Sequence, residues 1–254
     1  MLYIERREKI LDLLKKNGNV KVTDLVQTFQ VDATTIRRDL KALSKNEKIK
    51  TVYGGAYYVN ELTEGIIEID PVEKRTINVE KKRIIAQKAA KLIQTGDTII
   101  MNNGVTAELM LDYLEDLESL NLITQSLTIA AKAAEKSFIN LYLPGGKYRK
   151  MSGMFYGDFV VDAIKEFSAN KIFFGILGVS IQEGITHPAI EEIPVMRALL
   201  EISQKKYLIA DSSKYGKASL GKVASLDIFD AFIVDEDLPG IYCEYAQEHG
   251  IEII

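Results

Sequence analysis

Two groups of residues carry recognisable chemistry by type and spacing. The first is the run Asp32-Ala33-Thr34-Thr35-Ile36-Arg37-Arg38-Asp39-Leu40-Lys41. A guanidinium such as that of Arg37 or Arg38 can grip a phosphate or a guanine edge with two parallel hydrogen bonds. The hydroxyls of Thr34 and Thr35 are short donors and acceptors for phosphate or base edges. The second group is dispersed: Asn102-Asn103-Gly104-Val105-Thr106-Ala107, Thr124-Gln125-Ser126, Gly145-Gly146 and Lys214. Around Asn102 to Thr106 a tight turn, a hydroxyl and a following helix N-terminus make good anion-binding chemistry, and Lys214 can offer a point charge to phosphate. Each feature has an ordinary alternative. Arg37 and Arg38 can form a solvated face with one of them paired to a local carboxylate, Gly145-Gly146 can be a plain turn, and Lys214 can be one more solvated lysine.

The elements that must position the first group are three helices and a hairpin. Arg6 to Asn17 carries Ile10, Leu11, Leu13 and Leu14 and stops at Asn17-Gly18, a helix with a C-terminal stop signal. Val22, Leu25, Val26 and Phe29 fall at i, i+3, i+4, i+7, with Thr23 expected as N-cap. After a break at Gln30-Val31, Asp32 caps a third helix, ATTIRRDLKALSK, whose stripe is Ile36, Leu40 and Leu43. That stripe leaves Thr34, Thr35, Arg37, Arg38 and Lys41 on the other faces. KIKTVYGGAYYV then alternates about Gly54-Gly55 and reads as a hairpin. Three short helices plus a hairpin make a winged helix-turn-helix, with the third helix suited to the major groove of double-stranded DNA and Tyr53 and Gly54 in the wing. Charge agrees: residues 1–60 hold 12 Lys and Arg against 7 Asp and Glu, whereas residues 61–254 hold 20 against 29. A basic segment on an acidic body points to a polyanionic partner.

The second group sits in a longer alternating pattern. Residues 58–75 read as a connection, with strand character at 66–69. Ile84, Ile85, Ala89, Leu92 and Ile93 mark a helix ended by Gly96. Strands are expected at 98–101, 122–124, 139–143, 171–177, 206–211 and 231–235, with helices at about 105–117 and 126–136. Short apolar strands followed by amphipathic helices indicate a mainly parallel sheet covered on both faces. The fold class is therefore α/β, with residues 1–57 as the winged domain and 76–254 as the larger domain. In such sheets ligands bind beyond the carboxyl ends of the strands, which is where every member of the second group falls.

Composition bounds the rest. With 254 residues, 47% hydrophobic and 27% charged, the chain is of ordinary globular composition, and disordered or fibrous classes are excluded. No apolar run is long enough to span a bilayer and MLYIERREKI lacks the apolar stretch of a signal peptide, so a cytoplasmic protein is expected. The single Cys243 cannot form an internal disulfide and no Cys/His cluster has zinc spacing; neither metal nor cofactor is expected.

The run KILDLLKKNGNVKVTDLVQTFQVDATTIRRDLKAL…YGGA resembles the N-terminal domain of the DeoR family of bacterial transcription regulators. Thr35-Ile36-Arg37-Arg38-Asp39-Leu40 matches its pattern outright. Asp32 stands where Ser is usual, Tyr53 replaces the wing His, and Thr51 falls where Arg is common, which removes one phosphate contact. The rest resembles the same family's sensor domain, which is related in fold to ribose-5-phosphate isomerases and responds to phosphorylated sugars. Gly104, Thr106, Thr124, Ser126, Gly145, Gly146, Asp211, Ser213, Lys214, Tyr215 and Gly216 keep the family landmarks. The departures gather in the pocket. Asn102 replaces Asp, Val105 and Ala107 replace hydroxyl residues, Gln125 replaces Asn, and Met196 stands at a Lys position beside Glu192, Val195 and Arg197. Two lost hydroxyl contacts would cost about 1.5–3 kcal/mol each if both met a charged group, offset in part by the lost acidic charge.

Three functions compete. The leading one is a regulator of a sugar-metabolism operon, most simply a repressor, that binds operator DNA as a homo-oligomer (dimer or tetramer) and answers to a phosphorylated sugar. An isomerase-like enzyme would need a positioned base. The place for one in the first loop holds Asn102, and His187 reads more simply as a surface-loop residue. Walker A, G-x-S-x-G and H-E-x-x-H motifs are absent from the sequence. A larger domain that only oligomerises is the third reading.

Overall fold

A computed structural model describes residues 3–17, 19–45, 49–52, 55–58 and 71–254. The N-terminal elements are α1 (Tyr3–Asn17), β1 (Asn19–Lys21), α2 (Val22–Phe29), α3 (Ala33–Leu43), β2 (Ile49–Val52) and β3 (Gly55–Tyr58). The three expected helices and both hairpin strands are present. A third strand, β1, was not legible as one, and it joins them in an antiparallel sheet of order β1-β3-β2. Gly55 makes that possible, since a Cβ there would lie 2.2 Å from the Val20 carbonyl oxygen. The apolar stripes converge on one core of Ile10, Leu14, Leu25, Ile36, Leu40 and Ile49.

Two local expectations are corrected. Lys21 precedes α2 without a side-chain cap, and the Thr23 hydroxyl donates instead to Asp24. Asp39, inside the Arg-Arg-Asp run, is buried and pairs with Arg6 at 2.6 Å and Arg7 at 2.8 Å from α1. The carboxylate nearest to Arg37 and Arg38 in sequence thus fixes α1 against α3 and leaves those two arginines alone. Tyr53, Gly54 and the strand expected at 66–69 lie outside the described residues.

The C-terminal part begins within the expected connection, at α4 (Pro71–Lys74), followed by α5 (Val79–Ala90), β4 (Thr98–Met101), α6 (Val105–Met110), β5 (Leu120–Ile123), α7 (Leu127–Ala133) and β6 (Ile139–Tyr142). A hairpin, β7 (Lys147–Arg149) and β8 (Met154–Tyr156), leads to α8 (Asp158–Lys165) and β9 (Ala169–Phe174). Then come β10 (Gly178–Ser180), β11 (Gly184–His187), α9 (Ile193–Glu201), β12 (Ser203–Ile209), β13 (Gly221–Ala224), β14 (Ala231–Ile233), α10 (Gly240–His249) and β15 (Glu252–Ile253). Seven strands form one sheet of order β15-β14-β12-β9-β4-β5-β6, and every neighbouring pair is parallel. Alternate residues feed opposite layers: Ile99, Met101 and Phe173 pack with α5 and α6, whereas Ile100, Ile172 and Phe174 pack with α8 and α9. This is the pattern of a sheet buried on both faces.

The strands expected between 98 and 235 are all present, most with shifted ends. Gly175, Ile176 and Leu177 were expected to extend β9, but they leave the sheet, and the Gly175 backbone bonds to the Asn102 side chain instead. The helix expected to reach 117 ends at Met110 and tightens into a 3-10 turn, Leu111–Tyr113. Ile84 lies on the exposed side of α5, and Lys82 takes a place on the buried side with Ile85, Ala86 and Ala89. An antiparallel sheet of order β10-β11-β13 packs beside the main one; its strands are too short for sequence periodicity to reveal.

Removing the buried Asp39 carboxylate strands two guanidinium groups. Asp39→Ala is expected to cost about 3–5 kcal/mol, the range for breaking a buried ion pair from one side. Urea unfolding of the full chain, followed by circular dichroism, measures this. A loss below about 1 kcal/mol would mean that the ion pairs are incidental.

Candidate functional site

The main sheet reverses its strand order between β4 and β9. From β4 the chain builds outward through β5 and β6, and from β9 it builds the other way through β12, β14 and β15. The segments leaving two adjacent strand ends therefore diverge, opening a crevice at their carboxyl ends. Asn102 spans it. Its amide donates to the Gly175 carbonyl at 2.8 Å and its carbonyl oxygen accepts from the Gly175 N–H at 2.7 Å. Asn102 is buried behind the wall and is not among the lining residues, so its expected contact with an effector is corrected to a bracket. An aspartate, the family's usual residue here, could accept but not donate.

Beyond the bracket lies a cavity lined by Asn103, Gly104, Val105, Thr106 and Ala107 on one side and Gly175, Ile176 and Leu177 on the other. Lys74, Lys82, His187, Met196, Asp211 and Lys214 also line it, with Ile209 and Ala210. The described lining residues thus include three lysines, Lys74, Lys82 and Lys214, and the carboxylate of Asp211. Burial pushes the pKa of Lys214, and likewise that of Lys82, below the usual lysine value. Neither amine has a carboxylate within ion-pair distance among the described residues. Asp211 serves the backbone: it accepts from the Ser213 N–H at 3.1 Å and from the Ser213 hydroxyl, and so shapes the turn that carries Lys214. Buried positive charge without a paired anion is an anion site in waiting.

The cavity gathers Asn103, Gly104, Val105, Thr106, Ala107 and Lys214 from the expected set, but not the others. Ser126 caps α7 by accepting from the Ile129 N–H. Gly146 is required by packing, because a Cβ would lie 2.4 Å from Val160, and Gly145 lies in the same turn. Gln125 is fully buried and neither of its side-chain amide atoms has a partner among the described residues. His187 is buried on β11 rather than in a surface loop and it lines the cavity. Behind it Glu192 accepts from the Ser152 hydroxyl, with Arg149 at 3.4 Å and His187 at 3.7 Å. Lys82 was missed, although a lysine three and four residues before Ile85 and Ala86 breaks the apolar stripe visibly. Lys74 and Gly175 carry no signal that could have singled them out.

On α3, Asp32 accepts from the Thr35 N–H at 2.8 Å and from the Thr35 hydroxyl at 2.8 Å. The cap is as expected, and it occupies the Thr35 hydroxyl. These bonds hold the Asp32 carboxyl below its usual pKa, the Thr35 N–H contributing most. Thr34, Arg37, Arg38 and Lys41 are exposed and fall within about 100° of arc opposite the buried stripe. Neither arginine takes part in an ion pair among the described residues, which corrects the expectation of a local partner.

The family model described as the DeoR C terminal sensor domain matches residues 77–236, and the DeoR-like helix-turn-helix domain matches residues 6–61. The chain belongs to the DeoR family. Among full-length relatives of this DeoR-family chain are the HTH-type transcriptional regulator IolR of Bacillus subtilis and the glycerol-3-phosphate regulon repressor of Escherichia coli. The first is 28% identical over 98% of this chain and 97% of its own. The second is 28% identical over 100% and 99% respectively. Ribose 5 phosphate isomerase A from Neisseria gonorrhoeae is similar to 53% of the chain at 16% identity, with a TM-score of 0.36. The match spans about half, 52%, of that isomerase.

The bracket gives a direct test of the site's construction. Asn102→Asp is expected to lose about 1–3 kcal/mol for the missing donor, and more where the carboxylate ionises against the Gly175 carbonyl. The loss should shrink as pH falls, because a protonated carboxyl regains a donor. Urea midpoints that are equal to wild type at neutral pH would contradict the bracket.

Proposed function

We propose that this chain is a transcription regulator, in its simplest form a repressor, that binds double-stranded operator DNA through α3 and is controlled by a phosphorylated sugar in the crevice. The observation that carries the reading is the pairing of two cationic surfaces of different kinds. On α3 the arginines are exposed and uncommitted, as reversible binding to a polyanion requires. In the crevice Lys82 is buried and Lys214 half-buried, and neither has a carboxylate within ion-pair distance among the described residues, as a small enclosed anion requires. The relative named as a glycerol-3-phosphate regulon repressor supports control by a phosphorylated metabolite.

In this reading residues 1–57 bind DNA, 58–75 connect and 76–254 sense the effector and hold a homo-oligomer together. A symmetric pair of α3 helices would meet two half-sites, because protein symmetry mirrors operator symmetry. No helix among the described residues is long and apolar enough to cross a membrane, in keeping with a cytoplasmic regulator that has no membrane partner. Catalysis is not part of the proposal. A proton-abstracting group must be free to reach its substrate, whereas Asn102 is committed to Gly175 and Glu192 to Arg149 and Ser152.

Two measurements test this. The full chain first selects its DNA from a random pool. Arg37→Ala and Arg38→Ala are then expected to weaken binding by about 1–3 kcal/mol where the side chain reads a base, or to lower the salt slope by about one where it meets a phosphate. Unchanged affinity and slope in both variants would remove α3 from the reading role. Thermal unfolding with a panel of phosphorylated sugars, plain sugars and inorganic phosphate is expected to show a concentration-dependent rise for a phosphorylated sugar. Lys214→Met should weaken that ligand about ten- to hundredfold. A flat panel with folded protein would overturn the sensing reading and leave a domain that only oligomerises.

A further inference from the structure

The stretch that carries the chain into the sensor domain is tied to the walls of the cavity at three places. Arg75 pairs with Glu108 at 2.9 Å, and Glu108 follows Thr106 and Ala107 on α6. Asn78, in a left-handed conformation at φ 51°, donates to Asp211 at 3.1 Å and to the Ser213 hydroxyl at 3.1 Å. The Lys82 ammonium donates to the backbone carbonyls of Lys74 and Ile77, each at 2.6 Å. The first two ties hold the stretch to the cavity's frame. The third differs, because Lys82, which lines the cavity as Asp211 does, brings a positive charge to it.

The coordination of that ammonium is incomplete. It has three N–H donors, and two of them go to the carbonyls. The residue is 7% exposed, and no carboxylate stands within ion-pair distance of its ammonium among the described residues. Carbonyl oxygens satisfy its donors but not its charge, and a buried charge without a counter-ion is costly. An anion in the cavity would supply both the missing acceptor and the missing charge, and neither existing bond would have to break. Binding would then strengthen the hold of Lys82 on the Lys74–Ile77 turn, which is the last stretch of chain before the sensor domain proper.

We propose that Lys82 is the residue that couples the anion site to the connection with the DNA-binding domain: an anion in the cavity completes the coordination of its ammonium and so locks the turn from Lys74 to Ile77. The proposal rests on the reading of the cavity as an anion site. Lys82 acts here as a positioning residue, transmitting occupancy of the cavity to the backbone on which the DNA-binding domain is hung.

Hydrogen exchange of the full chain, read in peptides spanning residues 71–80 with inorganic phosphate as the probe, tests it. At phosphate concentrations that raise the Tm, exchange in this stretch is expected to slow at least about threefold. In Lys82→Met the stretch should exchange faster without phosphate and should not slow when phosphate is added, even where phosphate still raises the Tm. Lys82→Gln, which keeps an N–H for a carbonyl but no charge, carries the same expectation if the Met variant does not fold. Arg83→Met, which removes an exposed charge from the same helix, should respond as wild type does. Phosphate that raises the Tm but leaves 71–80 unchanged, speeds its exchange, or slows wild type and Lys82→Met alike would overturn the coupling. If phosphate does not raise the Tm of wild type, the anion-site reading fails for this probe. The coupling is then judged without ligand. Lys82→Met must exchange faster in 71–80 and bind the selected DNA at least about threefold differently from Arg83→Met, and equality on both counts overturns it.

Discussion

The reversal of strand order between β4 and β9 is the constraint on which the larger domain depends. Two parallel strands that lie side by side but send their chains in opposite directions must part at their carboxyl ends, and the peptide groups at the parting lose their sheet partners. Asn102 restores both bonds to Gly175 with one side chain. Because the amide both donates and accepts, the wall is closed without leaving a charge in it. The loop that follows, Asn103 to Ala107, is then fixed on one side of the crevice while Gly175 to Leu177 is fixed on the other. Lys82 on α5 and Lys214 in the turn after β12 line the cavity that this frame opens.

Charge is distributed with the same economy. The chain as a whole is slightly acidic, at −4, yet both candidate binding surfaces are positive because individual carboxylates are committed elsewhere. Asp39 sits between Arg6 and Arg7 and so leaves Arg37 and Arg38 free to face solvent. One oxygen of Asp211, Oδ1, accepts from Asn78 and from the Ser213 turn and so positions Lys214. Lys82 is spared a carboxylate and given two carbonyls instead. Stability is given up locally at such places, as expected of a site that must receive a charged ligand.

Much of the architecture was legible because it follows short-range rules. The stripes of Ile10 and Leu14, Val22 and Leu25, and Ile36 and Leu40 repeat at helical spacing, and Asp32 precedes its helix as a capping residue should. The apolar strands of the main sheet could be placed as short apolar runs, β4 and β5 with an amphipathic helix after each, although most of their ends could not. What stayed hidden depends on partners distant in sequence. Nothing near Asn102 announces Gly175, 73 residues away. Asp39 looks like the third charge of an exposed run until α1 is packed against it. Gly146 looks like a turn residue until Val160 is seen where its side chain would go. Lys82 is the exception, since its place on the apolar stripe of α5 was there to be read.

A regulator of this kind must convert occupancy of the crevice into a change in DNA affinity, and a ligand can do so only if it binds one arrangement of the chain better than another. The most direct measurement is fluorescence anisotropy of the full chain on the DNA that it selects, at fixed salt, titrated with a phosphorylated sugar that raises its Tm. The Kd for DNA should change at least about tenfold, equivalent to about 1.4 kcal/mol of coupling, and the unphosphorylated sugar should leave it unchanged. A Kd that stays constant while the phosphorylated sugar is bound would contradict control of DNA binding from the crevice.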